Sequence, residues 1–148
     1  MNFKTFDSAL AKFYDLMVYH RADVKTKWSL GSYDGPAAGI VEYNNKLYLA
    51  MSPLDHEHSP RIFLIIDIGE DRIKSLLEYM EKRYLTFGNC KYNDDGTRDK
   101  SKDRDHMTKE FREIATKFHK ETKMPDYYPD DNDEIVGWFR NWKLAPWR

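Results

Sequence analysis

Residues 61–68, RIFLIIDI, decide the fold, because this stretch is apolar on both of the faces that a strand would present. Successive side chains of a strand point to opposite sides of a sheet, so a strand with one solvated face alternates apolar and polar residues. Positions 62–66 are all apolar instead. We therefore predict an interior strand that is covered on both faces and is ended by Gly69.

The residues before this strand predict a tight β-hairpin. Segments 39–43 and 46–51 have strand character and flank Asn44 and Asn45, which tolerate the positive φ angles of a two-residue turn. A slip of one residue would move the apolar face of the hairpin into solvent, so we expect a well-specified register. That apolar face carries Ile40, Leu47, Leu49 and Met51.

Periodicity also predicts one more strand and four helices. Residues 24–30, VKTKWSL, alternate as a strand does, with the lysines on a solvated face or an edge. Apolar residues spaced three and four positions apart predict helices. The predicted helices cover residues 6–20, 70–85, 106–122 and 133–142. Gly88 suits the end of the second helix, and Asn132 or Asp131 suits the N-terminal cap of the fourth.

Together these elements predict an α+β fold: a small antiparallel sheet of about four strands, on which an N-terminal helix and three C-terminal helices pack. A chain of 148 residues is long enough to bury its own core, and no linker divides it, so we expect residues 1–148 to form a single domain. Residues 91–105, KYNDDGTRDKSKDRD, are almost purely polar, which predicts a surface loop.

The composition restricts the classes of partner that the protein can bind. With 24 basic and 25 acidic residues the net charge is −1, so no global field attracts nucleic acid or an anionic membrane. The single cysteine, Cys90, permits no intrachain disulfide, and no segment approaches the ~18 apolar residues of a membrane span. We therefore expect a cytoplasmic protein with no membrane contact, and any binding of nucleic acid would need a local basic patch.

One local cluster, LDHEHSP, has the residue types of a metal or proton-transfer site. His56 and His58 point the same way on an extended segment, so both can reach one divalent metal, to which Asp55 or Asp67 would add a carboxylate. One alternative is therefore a metal-dependent hydrolase or phosphoesterase that uses the run from Asp55 through Glu57 to His58. A solvated loop explains these residues more simply, because the spacing specifies no third ligand.

The leading interpretation rests on DYYPDDNDE, residues 126–134, and has no cofactor. The dipole of a following helix explains carboxylates in this segment, but it does not explain two adjacent tyrosines. An acidic–aromatic surface can dock a basic partner, because rings supply buried area and carboxylates steer association. We therefore predict a non-catalytic binding or regulatory module that meets the basic surface of a protein partner. The expected contact residues are Tyr127, Tyr128, Asp130, Asp131 and Trp147.

A third interpretation concerns the other face of the hairpin. Tyr43, Lys46 and Tyr48 combine rings with a cation, as single-strand nucleic-acid binders do when bases stack on their surface. If another element covers this face, the same rings are explained as packing. The two-sided apolarity of residues 62–66 favours such cover.

The charged face of predicted helix 106–122 has no clear functional signal. Four cations lie roughly opposite its apolar stripe, namely Lys109, Arg112, Lys120 and Lys123. Glutamates interrupt this basic field, at positions 110, 113 and 121. An ordinary solvated helix face is the favoured interpretation.

Catalytic motifs are missing from the chain. It has no phosphate-binding glycine loop, CxxC pair, HExxH motif or EF-hand loop. We therefore favour a binding protein over an enzyme. In general character the chain resembles the small accessory proteins of bacteria and phages, although no single motif carries this resemblance.

Overall fold

A computed structural model describes five strands and two helices. It covers residues 23–30, 38–51, 62–88, 90–140 and 142. The elements are β1 (Lys25–Ser29), β2 (Ala38–Tyr43), β3 (Lys46–Met51), β4 (Ile62–Asp67), α1 (Glu70–Phe87), α2 (Lys109–Glu121) and β5 (Glu134–Arg140). The predicted α+β class is confirmed. The predicted N-terminal helix, residues 6–20, lies outside the described residues.

The strands form one antiparallel sheet in the order β1-β2-β3-β4-β5, so each strand pairs with its neighbours in the chain. The hairpin prediction is confirmed, because Tyr43 pairs with Lys46 across a two-residue turn. Asn44 and Asn45 in that turn have φ angles of 50° and 60°. Asparagine tolerates this left-handed conformation at little cost, which explains why the chain reverses here.

The predicted fourth helix, 133–142, is wrong, because residues 134–140 of this stretch form β5. This raises the strand count from about four to five and leaves two of the three predicted C-terminal helices. The pairing of β4 with β5 shifts between Ile65 and Ile66, which places an extra residue in β5. As a result Ile135 and Trp138 pack on the same side of the sheet, although they are three residues apart. A bulged strand thus reproduced the spacing of an amphipathic helix.

The sheet separates two cores. The helices cover one face, and the helix-side core there includes Ile40, Leu49, Leu64 and Ile66. The second core on the opposite face includes Val41, Ala50, Phe63, Ile65, Phe139 and Trp142. In β4 the residues from Phe63 to Ile66 are at most 1 % exposed. The prediction of an interior strand covered on both faces is therefore confirmed.

Trp142 shows that the second face is concave. Its indole Nε1 donates to Thr26 Oγ1 of β1 at 2.6 Å, and its ring lies 5.3 Å from that of Phe139 in β5. The outer strands of a flat five-stranded sheet would be about 19 Å apart, so one side chain reaches both only if the sheet curls around it. Gly39 makes room for the indole, because a Cβ there would lie 2.9 Å from a ring carbon of Trp142.

Aromatic contacts join the two helices. Phe111 near the start of α2 lies 5.5 Å from Phe87 at the end of α1, and Phe118 lies 5.7 Å from Tyr79. Phe118 also lies 5.0 Å from Phe87, so the second helix packs across the C-terminal half of the first. Gly88 ends α1 with a φ of 82° and donates its N–H to Tyr84 O, as predicted for this glycine. No helix among the described residues is long and apolar enough to cross a bilayer.

Candidate functional site

The segment that links α2 to β5 is held by Arg72, a residue in the first turn of α1. One guanidinium nitrogen of Arg72 lies 2.8 Å from both carboxylate oxygens of Asp133, and the other donates to Tyr128 O at 2.6 Å. Asp133 is buried, with 7 % of its side chain exposed. A charge-assisted contact of this kind is strong when it is shielded from water. It fixes the acidic segment against the start of α1.

Local hydrogen bonds complete the shape of this segment. The N–H of Asp130 donates to Asp133 Oδ2 at 2.8 Å. Asp126 and Asp130 each accept a bond from the N–H two residues further on, which is the Asx turn that aspartate favours. The turn from 130 to 133 therefore has a defined conformation before any partner arrives.

Tyr127 and Tyr128 lie partly inside the molecule. Their rings stack at 4.8 Å with an angle of 22°, and both residues are half-buried against the helix-side core. Burial, with a smaller contribution from Tyr128, raises the pKa of the Tyr127 hydroxyl above its ordinary range. Both residues thus keep part of their surface in solvent and give the rest to packing.

The exposed carboxylates around this segment extend beyond the residues that the sequence suggested. Because Arg72 joins the segment to α1, the first turn of that helix adds two further carboxylates. We define the acidic surface as the exposed residues Glu70, Asp71, Asp126, Asp130, Asp131 and Glu134. Arg72 lies among them, 3.7 Å from the carboxylate of Asp130, which is 52 % exposed. The surface is therefore mostly negative, with Arg72 as a partly shielded cation and Lys46 close to Glu70 at its edge.

The metal alternative lies mainly outside the described residues, which do not include Asp55, His56, Glu57 or His58. Asp67 is described, and it accepts bonds from Gly69 N at 2.9 Å and from Lys46 Nζ at 3.1 Å. The backbone N–H of Gly69 and then the Lys46 ammonium lower the pKa of Asp67. No group of three metal-binding side chains occurs in the described part of the chain. The metal-dependent hydrolase remains a prediction.

The hairpin residues proposed for stacking bases lie at the rim of the second core. The rings of Tyr43 and Tyr48 are half-buried and 6.1 Å apart. Lys46 is exposed, but its ammonium is paired with Asp67 and lies 5.3 Å from the Tyr48 ring. A cation that already has a carboxylate partner attracts a phosphate weakly. Nothing in this geometry strengthens the nucleic-acid interpretation.

Cys90 has the environment of a structural thiol. It is 6 % exposed, and burial raises the pKa of its thiol despite the nearby Arg83. A protonated, shielded thiol is a poor nucleophile. The backbone of Cys90 is left-handed, with a φ of 78°. Its carbonyl accepts a hydrogen bond from Ser29 N at 2.8 Å, so the residue pairs with the edge strand β1.

Comparison with protein-family models, with curated proteins and with solved structures finds no match to this chain. The interpretation of the acidic surface therefore rests on its own chemistry. Sequence reasoning missed Arg72 and Asp133 as its anchors, and Glu70 and Asp71 as members. Only tertiary contact reveals them, because Arg72 and Asp133 are separated by 61 positions. Trp147, the remaining predicted contact residue, lies outside the described residues.

Proposed function

We propose that this protein is a non-catalytic binding module whose acidic surface docks a protein partner with a basic surface. The single observation that supports this proposal is the anchoring of residues 126–134 by Arg72. A segment that is already ordered loses little conformational freedom on binding, and that loss is a main cost of association. The sequence contributes the carboxylates, and the fold holds them in one arrangement.

The charges would act mainly on the rate of association. Exposed ion pairs contribute only about 0.2–1 kcal/mol each. A patch of one sign nevertheless steers a partner of the opposite sign and raises the association rate. The solvent-exposed part of Tyr127 and Tyr128 would supply apolar contact beside these charges. We therefore expect modest affinity with a strong dependence on salt.

Charge reversal tests this proposal. In the double variant Asp130→Lys/Asp131→Lys, association with a synthetic Lys- and Arg-rich peptide should slow about tenfold or more at low salt, because steering is lost. The matched control is Glu78→Lys/Glu81→Lys, which makes the same change of charge on exposed positions of α1. Stopped-flow fluorescence measures the rate, and circular dichroism checks the fold. An unchanged rate and salt dependence in the first variant would refute the proposal.

A further inference from the structure

The outward face of α2 forms a shallow groove of about 640 Å³. It is lined by cations along its length, namely Lys109, Arg112, Lys117 and Lys120. With 3.6 residues per turn, Lys109 and Lys120 lie within about 20° of each other around the helix and about 16 Å apart along it. We call this feature the outer groove of α2. None of its lining residues belongs to either core.

Glu113 and Glu121 also line the outer groove. Glu113 pairs with Lys109 at 3.8 Å, but these side chains are 68 % and 84 % exposed, respectively. An ion pair as exposed as this one opens readily, so Lys109 is available to another carboxylate. The outer groove therefore carries a net positive charge, although two carboxylates lie within it.

The acidic surface of the same molecule is out of reach of the start of this groove. Lys109 lies beside the end of α1, since Phe111 contacts Phe87, whereas Arg72 and the acidic surface lie at its start. An 18-residue helix separates its two ends by about 27 Å. Within the described residues no ion pair joins the outer groove to the acidic surface.

We propose that the outer groove of α2 receives the acidic surface of a second copy of this chain. This inference rests on the proposed function and names its partner. A net charge of −1 leaves little overall repulsion between copies, so the complementary patches can decide the encounter. The contact joins two different surfaces, so a dimer still presents one outer groove and one acidic surface to further copies, and association continues with concentration.

Charge complementarity favours a protein surface over a phosphate backbone as the occupant. Glu113 and Glu121 inside the groove would repel successive phosphates, which are negative at every position. The acidic surface is instead a short folded segment whose carboxylates are separated and interrupted by Arg72, so its negative charge is not continuous. Nucleic acid therefore fits the groove less well than the second copy does.

Sedimentation velocity over a range of protein concentrations tests this inference. The wild-type chain should self-associate at low salt, with an association constant that falls at least tenfold at high salt. The variant Arg112→Glu/Lys120→Glu should lose this association, as should Asp130→Lys/Asp131→Lys. A mixture of the two variants should associate again, because each now carries the surface that the other lacks. Lys74→Glu/Lys82→Glu, which reverses exposed cations of α1, is the matched control and should behave as the wild type.

The outcomes separate this inference from the proposed function. Both variants should keep the wild-type circular dichroism spectrum, and the Arg112→Glu/Lys120→Glu variant should still bind the Lys- and Arg-rich peptide. A wild-type chain that stays monomeric at low salt, or a mixture that fails to associate, overturns the inference while peptide binding upholds the proposed function. Groove-dependent binding of duplex DNA without self-association also overturns it. Peptide binding that is unchanged by Asp130→Lys/Asp131→Lys removes the proposed function as well.

Discussion

Two polar segments of this protein, 91–105 and 126–134, are each held by one arginine–aspartate pair, but the buried partner differs. In the first segment Arg98 contacts Asp103 through two bonds of 2.9 Å, and the guanidinium is 3 % exposed while the carboxylate is 33 % exposed. In the second, the carboxylate of Asp133 is 7 % exposed and Arg72 is 31 % exposed. The first pair buries a cation and the second buries an anion.

The two pairs also differ in their distance along the chain. Arg98 and Asp103 are five positions apart, so the first segment closes on itself. Arg72 and Asp133 join the start of α1 to the start of β5. A local pair shapes a loop, whereas a long-range pair positions a segment relative to the rest of the fold. This is why the second segment, and not the first, is our candidate for recognition.

The largest expected effect is on the free energy of unfolding, and it depends on how closely residues 91–105 fit the end of α1. A Cβ on Gly88 would overlap the backbone carbonyl of Lys102, and the φ of 82° is left-handed. We expect Gly88→Ala to lower the free energy of unfolding by about 4 kcal/mol or more, because neither backbone can move easily. Gly96→Ala is the control: its φ is 86°, but nothing lies within 4 Å, so only about 1–2 kcal/mol of conformational strain applies. Urea unfolding measures both, and equal losses would contradict the close fit.

The next prediction compares the two pairs directly. Removing the exposed partner leaves a buried charge without compensation, which costs about 3–5 kcal/mol. Asp103→Ala should therefore destabilise more than Arg98→Met, whereas Arg72→Met should destabilise more than Asp133→Ala. The expected difference within each pair is about 1 kcal/mol or more. Urea unfolding of the four variants gives the ranking, and the same order in both pairs would disprove the assignment of the buried charge.

The smallest expected effect concerns the local turns of the first segment. The hydroxyl and N–H of Thr97 lower the pKa of Asp95, and those of Ser101 lower the pKa of Asp99, below the ordinary 3.8. Since the charged form is favoured in the folded chain, these bonds are fully present above pH 3.8. They are lost as the pH falls through the lowered folded pKa.

Carboxyl titration by NMR measures these pKa values. Thr97→Val should raise the pKa of Asp95 toward 3.8 and leave that of Asp99 unchanged. Ser101→Ala should raise the pKa of Asp99 toward 3.8 and leave that of Asp95 unchanged. If either substitution moved both carboxyl groups together, the two turns would not be independent.

Local chemistry made several elements of this fold predictable. The asparagine turn, the glycine end of α1 and the two-sided apolar strand each depend on residues that are close in sequence. The same reasoning failed for β5, because a bulge depends on pairing with β4. The candidate site was predictable in part, since Tyr127, Tyr128, Asp130 and Asp131 share one short segment. The contribution of Glu70 to the site was not predictable, because it depends on the contact of Arg72 with that segment.

The sequence alone therefore determined the fold class, the hairpin register, the extent of α1 within two residues and the concentration of carboxylates in residues 126–134. These features follow from backbone preferences and from the need to bury one apolar face. Only the tertiary structure decided that residues 134–140 form a strand, that Trp142 fills a concave sheet and that Arg72 holds the acidic surface together. Each of these depends on contacts between residues far apart in the chain, which no local pattern of side chains encodes.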